Sequence, residues 1–216
     1  MAKTLYSLIL SSEVVAAIDG IAAREGVSRS ALINHILAEY ASLSTPEKRS
    51  KDIAQTAGQA AGNSFRASVS PGGTLTLRTV LQYKYNPAIS YVVDLREEDG
   101  TIGTVYLVLR SQNQDLLRHI RQFFALWAQM EGQYLPAPPG KSSYTANTHR
   151  YGRQLRSPQS EPSGQQTGLA LAEYITLLDA CLQSFFKYPG NPAAAAELAE
   201  AHYRRSLPGL GLALYL

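Results

Sequence analysis

The chain has 216 residues, of which 45% are hydrophobic and 17% are charged, and its formal net charge is +3. That length allows one large or two small domains, and the apolar content is enough to bury a hydrophobic core. The single cysteine, Cys181, excludes an internal disulfide framework. No apolar run approaches the roughly 18–20 residues of a membrane-spanning helix, so we predict a cytoplasmic protein without membrane contact.

The N-terminal segment predicts one strand followed by two helices. Residues 5–10 are apolar and β-prone, and the Ser11-Ser12 pair that follows is a helix N-cap signal. Gly26 suits the C-cap of the first helix, and Ser28 suits the start of the second. Apolar residues recur at helical spacing: Val14, Ile18, Ile21 and Ala22, then Leu32, Ile33, Ile36, Leu37 and Tyr40.

A strand and two short helices in about 40 residues bury too little surface to be stable alone. The exposed edge of the lone strand also requires a partner, which a second copy of the chain supplies if two strands pair antiparallel. Residues 3–44 resemble the ribbon-helix-helix proteins of the Arc, MetJ and CopG kind. The resemblance lies in the strand ending "LILSSEVV", the helix "VAAIDGIAAREG" and the joint "GVSRSALINHILAEY".

The resemblance implies a homodimer, formed through the N-terminal strand, that binds double-stranded DNA. In that family the paired strands enter the major groove, and the N-terminus of the second helix contacts a backbone phosphate. The second role would fall on Ser28, Arg29 and Ser30. Period-two alternation would direct Lys3, Leu5, Ser7 and Ile9 toward the bases, with Leu8 and Leu10 toward the core.

The predicted ribbon face is unusually apolar for base recognition. Lys3 and Ser7 can form hydrogen bonds, whereas Leu5 and Ile9 can at most contact thymine methyl groups. This departure from the family pattern predicts weak sequence discrimination. It also supports an alternative, in which the chain is a non-enzymatic interaction or scaffold protein that uses the ribbon-helix-helix for dimerisation alone.

The middle of the chain predicts a linker and then a β-rich domain. Residues 46–63 are small and polar, which predicts a linker with one Ala-rich helical turn or more, whose Lys48, Arg49 and Lys51 are candidate phosphate contacts. Residues 64–135 predict an antiparallel meander of three strands and a long helix capped by Asn113. The helix carries an apolar stripe: Leu116, Leu117, Ile120, Phe123, Phe124, Trp127 and Met130.

The remaining third predicts a disordered segment and a helical pair. Residues 136–168 are rich in Pro, Gly, Ser and Gln, which is typical of disorder. Residues 169–216 predict two helices, over about 169–187 and 192–206, and an apolar tail that docks on a core or forms an edge strand. The disordered segment would be an accessory basic arm along DNA through four residues: Lys141, Arg150, Arg153 and Arg156.

The overall prediction is an α+β protein with an N-terminal ribbon-helix-helix module, a β-meander with a packing helix, and a helical C-terminal region. No catalytic motif, metal-ligand spacing or cofactor loop is recognisable, so we predict no enzyme, no metal and no cofactor. The predicted function is a bacterial transcriptional regulator or a plasmid or mobile-element maintenance factor. Residues 64–216 would sense, oligomerise or recruit a protein partner, and a ligand pocket in the meander has no residue-level support.

Overall fold

The computed structural model describes residues 5, 7–41, 46–96, 100–135, 144–147, 149–156 and 162–207. The chain divides into two compact units, Met1–Thr45 and Pro46–Leu216. The first unit contains helices in its described part, and the second combines helices with an antiparallel sheet. The α+β class predicted from the sequence is therefore confirmed.

Unit 1 consists of two helices, α1 (Ser12–Glu25) and α2 (Arg29–Tyr40). Both begin at a serine N-cap: the hydroxyl of Ser11 accepts from the N–H of Val14, and that of Ser28 from the N–H of Ala31. Gly26 ends α1 in the left-handed conformation at φ 67°. The predicted positions of these two helices are confirmed.

The described part of residues 5–10 does not form the predicted strand in the single chain. Residues 5 and 7–10 have no regular secondary structure, so unit 1 begins with a helix in the described part. A strand needs a hydrogen-bonded neighbour, and the neighbour expected here belongs to a second chain. The ribbon therefore stays a prediction.

The first helix of unit 2, α3 (Pro46–Ala60), corrects the predicted linker. Ile53, Ala54 and Ala57 of α3 are buried in the main hydrophobic core. Small residues on one stripe allow close approach to a neighbouring helix. The segment looked like a linker because its polar residues outnumber its few core residues.

The sheet has six strands among the described residues, in the order β1-β2-β3-β4-β6-β5, and all neighbours are antiparallel. The predicted meander is confirmed as three consecutive strands, whereas the short edge strand β1 was missed. The strands are β1 (Arg66–Val69), β2 (Leu75–Val80), β3 (Ala88–Asp94), β4 (Thr101–Leu109), β5 (Tyr144–Ala146) and β6 (Arg150–Arg156).

Three further helices complete unit 2: α4 (Gln114–Tyr134), α5 (Gly164–Phe185) and α6 (Pro192–Ser206). Asn113 caps α4 as predicted, and every residue of the predicted apolar stripe is buried. The helical pair is also confirmed, with α5 starting five residues earlier than expected, at a capping box of Ser163 and Gln166. The predicted docking of the apolar tail lies outside the described residues.

Strands β5 and β6 correct the predicted disorder of residues 136–168. In β6 the side chains of Tyr151, Arg153 and Leu155 are buried in alternation, and the strand pairs with β4 in the sheet. An arginine at an inward position concealed the period-two pattern, because arginine is rarely buried without a partner. Residues 136–143, 148 and 157–161 of this segment lie outside the described residues.

The sheet has one buried face and one open face. On the buried face, the aligned residues Leu77, Tyr91, Leu107 and Tyr151 are at most 1% exposed and belong to the same core as the helices. The intervening positions of the same strands are half-buried or exposed in most cases. This alternation is typical of an antiparallel sheet covered on one side.

The close packing of α3 on α5 gives a test of the correction at residues 46–60. A Cβ on Gly168 of α5 would lie 2.8 Å from the carbonyl oxygen of Ile53. We expect Gly168→Ala to lower the free energy of unfolding by about 1–3 kcal/mol, because the two helices must separate. Urea denaturation measures the change.

The matched control is Gly132→Ala in α4, where an added Cβ meets nothing within 4 Å. This change should raise stability by about 0.5–1 kcal/mol, since alanine loses less conformational entropy than glycine in a helix. Equal effects of the two substitutions would contradict the packing of α3 against α5.

Candidate functional site

The N-terminus of α2 is an exposed cluster of polar groups. Ser28, Arg29 and Ser30 are all exposed, and the Ser28 hydroxyl caps the helix by accepting from Ala31 at 3.2 Å. The backbone N–H groups of Arg29 and Ser30 donate to no residue in the described part of the chain. Free N–H groups and the positive end of the helix dipole make this end suitable for an anion.

The side chain of Arg29 is engaged by a carboxylate on the preceding helix. Its Nε and Nη2 atoms donate to the two carboxylate oxygens of Asp19, each at 2.5 Å. Hydrogen bonding to Asp19 raises the pKa of Arg29, which stays protonated. The side chains remain 56% and 44% exposed, so the pair is in solvent and is worth little to stability.

The two predicted faces of the N-terminal segment differ in exposure. Leu5 and Ile9, predicted to face outward, are 97% and 103% exposed, and Ser7 is exposed as well. Leu8 and Leu10, predicted to face the core, are 50% and 41% exposed. Lys3 lies outside the described residues.

Unit 1 has a very small core for its apolar content. Its buried hydrophobic cluster consists of Ile18, Ala22 and Leu32 among the described residues, with Ile21 and Ile33 packed against it. The unit therefore has apolar surface that the single chain does not cover. The large apolar side chains that remain at least 41% exposed are Leu5, Leu8, Ile9, Leu10, Val14, Val27, Ile36, Leu37 and Tyr40.

The other predicted phosphate contacts lie on α3 and belong to unit 2. Lys48 and Lys51 are exposed, as a phosphate contact requires. Arg49 is half-buried, and its Nη2 donates to the carbonyl oxygen of Pro162 at 3.4 Å. This hydrogen bond links α3 to Pro162, the residue before the N-cap of α5.

The predicted basic arm is wrong as a disordered unit, because its described arginines belong to strand β6. Arg150 is exposed, Arg156 is half-buried, and Lys141 lies outside the described residues. Arg153 is 5% exposed, and its Nε lies 3.4 Å from Oε2 of Glu131 in an ion pair inside the core. Arg153 is therefore not available to DNA in this fold.

The Glu131 carboxylate is the centre of a buried polar network. Oε1 accepts from Tyr174 at 2.6 Å and from Trp127 at 2.9 Å, and Oε2 accepts from Tyr151 at 3.0 Å. Burial raises the pKa of Glu131, although Arg153 and the three hydrogen bonds act in the opposite direction. The residues of the network are at most 5% exposed and join α4, α5 and β6, so its role is structural.

Strand pairing also brings together residues on the open face of the sheet that the sequence did not group. Arg66 of β1 lies directly opposite Arg78 of β2, and Arg150 of β6 belongs to the same cross-strand row. Alternation within β2 alone could have placed Arg78 outward. The shared row depends on the register of five strands.

The described part of the chain holds no group of three or more His, Cys, Asp or Glu residues arranged to bind a metal ion. No described helix is both long enough and apolar enough to cross a membrane. Cys181 is buried, and burial raises the pKa of its thiol to about 12, as expected of an unreactive core cysteine. No family model, curated protein or solved structure matches this chain.

The buried ion pair gives a test of the network. We expect Glu131→Gln to lower the free energy of unfolding by about 3–5 kcal/mol, because it leaves the charge of Arg153 buried without a counter-charge. Adding Arg153→Met to Glu131→Gln should recover much of this loss. Chemical denaturation of both single variants and the double variant gives the coupling energy.

Asp179→Asn is the matched control for that cycle. Asp179 accepts from the hydroxyl of Tyr91 at 2.9 Å and has no arginine partner among the described residues. Its loss of charge should therefore cost less than that of Glu131. Additive effects of the Glu131 and Arg153 substitutions would contradict the ion pair.

Proposed function

We propose that the protein is a dimeric DNA-binding protein whose N-terminal unit docks on duplex DNA. The observation that carries the proposal is the exposed N-terminus of α2, with its free N–H groups and Arg29, in a unit that leaves much of its apolar surface uncovered. Transcriptional regulation or plasmid or mobile-element maintenance in a bacterium would fit such a dimer.

The need for a second copy follows from the uncovered apolar surface of unit 1. Burying one leucine or isoleucine side chain is worth about 1.5–3 kcal/mol relative to leaving it exposed. Pairing residues 5–10 of two chains would satisfy the backbone of both segments and would cover Leu8 and Leu10. The same pairing would leave Leu5, Ser7 and Ile9 on the outer face of the ribbon.

Backbone phosphates are the DNA groups that this unit can bind best. Each protomer offers the Arg29 and Ser30 N–H groups, the Ser30 hydroxyl and the Arg29 guanidinium at the positive end of α2. A dimer presents two such ends, related by its two-fold axis. The outward residues Leu5 and Ile9 contribute little base recognition, so affinity would derive mainly from phosphates.

A scaffold protein is the second candidate, and two observations favour it. Leu5 and Ile9 are almost fully exposed, and they would be better buried under protein than placed in a DNA groove. The guanidinium of Arg29 is already paired with Asp19. In this alternative, unit 1 dimerises and its outer ribbon face binds a protein.

The Arg29–Asp19 pair allows a test of phosphate docking in both directions. Arg29→Ala should weaken binding to all duplexes alike and should reduce the slope of log affinity against log salt by roughly 2, since the dimer carries two copies. Asp19→Asn should strengthen binding, because it removes a carboxylate that competes with phosphate. Fluorescence anisotropy on labelled duplexes over a salt series measures both effects.

Arg24→Ala is the matched control for these variants. Arg24 is an exposed arginine in the last turn of α1, five residues before Arg29 and outside the first turn of α2. The substitution removes the same charge but should leave most of the salt dependence. An equal loss for Arg24→Ala and Arg29→Ala would show general electrostatic attraction and would contradict docking at α2.

The double substitution Leu5→Lys with Ile9→Thr separates the two candidate functions. If the ribbon lies in DNA, the dimer should keep its stability and bind DNA more tightly, and each bidentate contact to a base would add about 1–3 kcal/mol of discrimination between sequences. Sedimentation and thermal unfolding would report the dimer, and anisotropy would report binding. Aggregation or dissociation with no rise in DNA affinity would favour the scaffold.

A further inference from the structure

The open face of the unit 2 sheet carries a row of arginines. This row has no part in the duplex docking proposed for unit 1. Successive Cα partners in this row are Arg66, Arg78, Ser90, Val108 and Arg150, on strands β1, β2, β3, β4 and β6. Directly opposite residues on antiparallel strands project on the same side of the sheet. All three arginines of the row are exposed.

The placement of Arg66 opposite Arg78 is unfavourable for the protein by itself. Like charges at directly opposite positions destabilise a strand pair. Neither arginine forms an ion pair with any residue that the structure describes. An anion bound across the two guanidinium groups would remove this repulsion.

An aromatic platform lies beside the arginine row. The guanidinium carbon of Arg150 lies 3.4 Å from the centroid of the Tyr106 ring, in a cation–π contact. The residue opposite Tyr106 on β6 is Gly152, which has no side chain to cover the ring. A stacked Arg–Tyr pair of this kind offers a flat surface to an unpaired base.

Carboxylates are scarce on this face. Among the outward positions of the described strands, Asp94 at the end of β3 is the acidic residue, and its Oδ1 accepts from Nε of Arg96 at 3.2 Å. Arg110, directly after β4, is exposed and adds a further positive charge at the opposite end of the strands. The face is therefore positive from β1 to β6.

We propose that the open sheet face of unit 2 binds single-stranded nucleic acid, with Arg66, Arg78 and Arg150 on phosphates and the Arg150–Tyr106 pair under a base. Four strand spacings of about 4.8 Å separate β1 from β6, which gives a track of roughly 19 Å. Basic residues that follow a backbone, combined with a stacking platform, are the usual features of single-strand binding.

The shape of the surface favours a single strand over a duplex. The major groove admits a helix or a two-stranded ribbon, whereas residues on a sheet face extend outward by one side-chain layer. Such a face can contact bases that are free to turn toward it. The half-buried valines Val92 and Val108 on the same face add apolar contact for those bases.

The test uses the full chain and a fluorescein-labelled oligothymidylate of about 15 nucleotides. Binding should weaken with salt, and the triple variant Arg66→Gln, Arg78→Gln, Arg150→Gln should lose about 100-fold in affinity near 0.1 M salt. Its salt slope should fall by roughly 2, since each phosphate contact on a single strand contributes about 0.7. The double variant Arg66→Gln, Arg78→Gln should unfold at no lower temperature than the wild type, because it removes the repulsion between these two residues.

Arg205→Gln is the single-charge control, because Arg205 is exposed on α6 in the helical layer of the same unit. It should cost much less affinity than Arg78→Gln alone. Tyr106→Leu should weaken binding about 5-fold or more without a change in salt slope, because it removes stacking but no phosphate contact.

Three results would overturn the proposal: no binding of the oligothymidylate by the wild-type chain, an unchanged affinity and slope in the triple variant, or stronger binding of a duplex of equal length by the same arginines. A change in sedimentation of the triple variant without single-strand binding would assign the face to a second copy of the chain instead. The proposed site lies in unit 2. Arg29→Ala in unit 1 should therefore leave oligothymidylate binding intact even if duplex docking fails.

Discussion

The arrangement of unit 2 depends on the hydrogen bonds and the ion pair of the buried Glu131 carboxylate. Glu131 lies on α4 and accepts hydrogen bonds from Trp127 of the same helix, from Tyr174 of α5 and from Tyr151 of β6. Arg153 of β6 supplies the counter-charge. Because a buried carboxylate is costly without such partners, the network specifies which strand lies under α4 and in which register. The register of β6 on β4 also places Arg150 opposite Val108, on the other face of the sheet.

The two units present opposite physical situations. Unit 2 buries most of its described large apolar side chains in one continuous core and satisfies the buried carboxylate with several donors. Unit 1 has a core of three residues in its described part and exposes most of its other large apolar side chains. Unit 1 therefore leaves apolar surface uncovered, which the proposed second copy would bury, whereas unit 2 has a large core of its own. The proposed duplex docking and the proposed single-strand surface accordingly belong to different units and can be tested separately.

A protein with both surfaces would handle DNA in two forms. The α2 N-terminus of unit 1 suits the regularly spaced phosphates of a duplex, and the flat basic face of unit 2 suits a strand whose bases are free. Both surfaces would act through arginine side chains, and the first also through backbone N–H groups.

The sequence by itself determined the features that depend on neighbours along the chain. Serine caps, the left-handed Gly26, the stripe of α4 and the alternation in β2 to β4 follow from local hydrogen bonding and from helical or strand period. The two helices of unit 1 were predictable for the same reason. The dimer ribbon could not be decided within one chain, because its hydrogen bonds would cross to another.

Tertiary structure alone decided the features that depend on partners distant in sequence. The sequence predicts that Arg153 belongs to a solvated basic arm. In the structure it lies in the core, where it pairs with Glu131, 22 positions earlier. The sequence predicts a linker over residues 46–60. In the structure these residues form α3, which packs closely on α5 at Gly168. The arginine row joins residues from 66 to 150 because strand register, and no local pattern, aligns them. Burial and pairing are set by the whole fold. The role of a charged residue can therefore be assigned only when its neighbours in space are known.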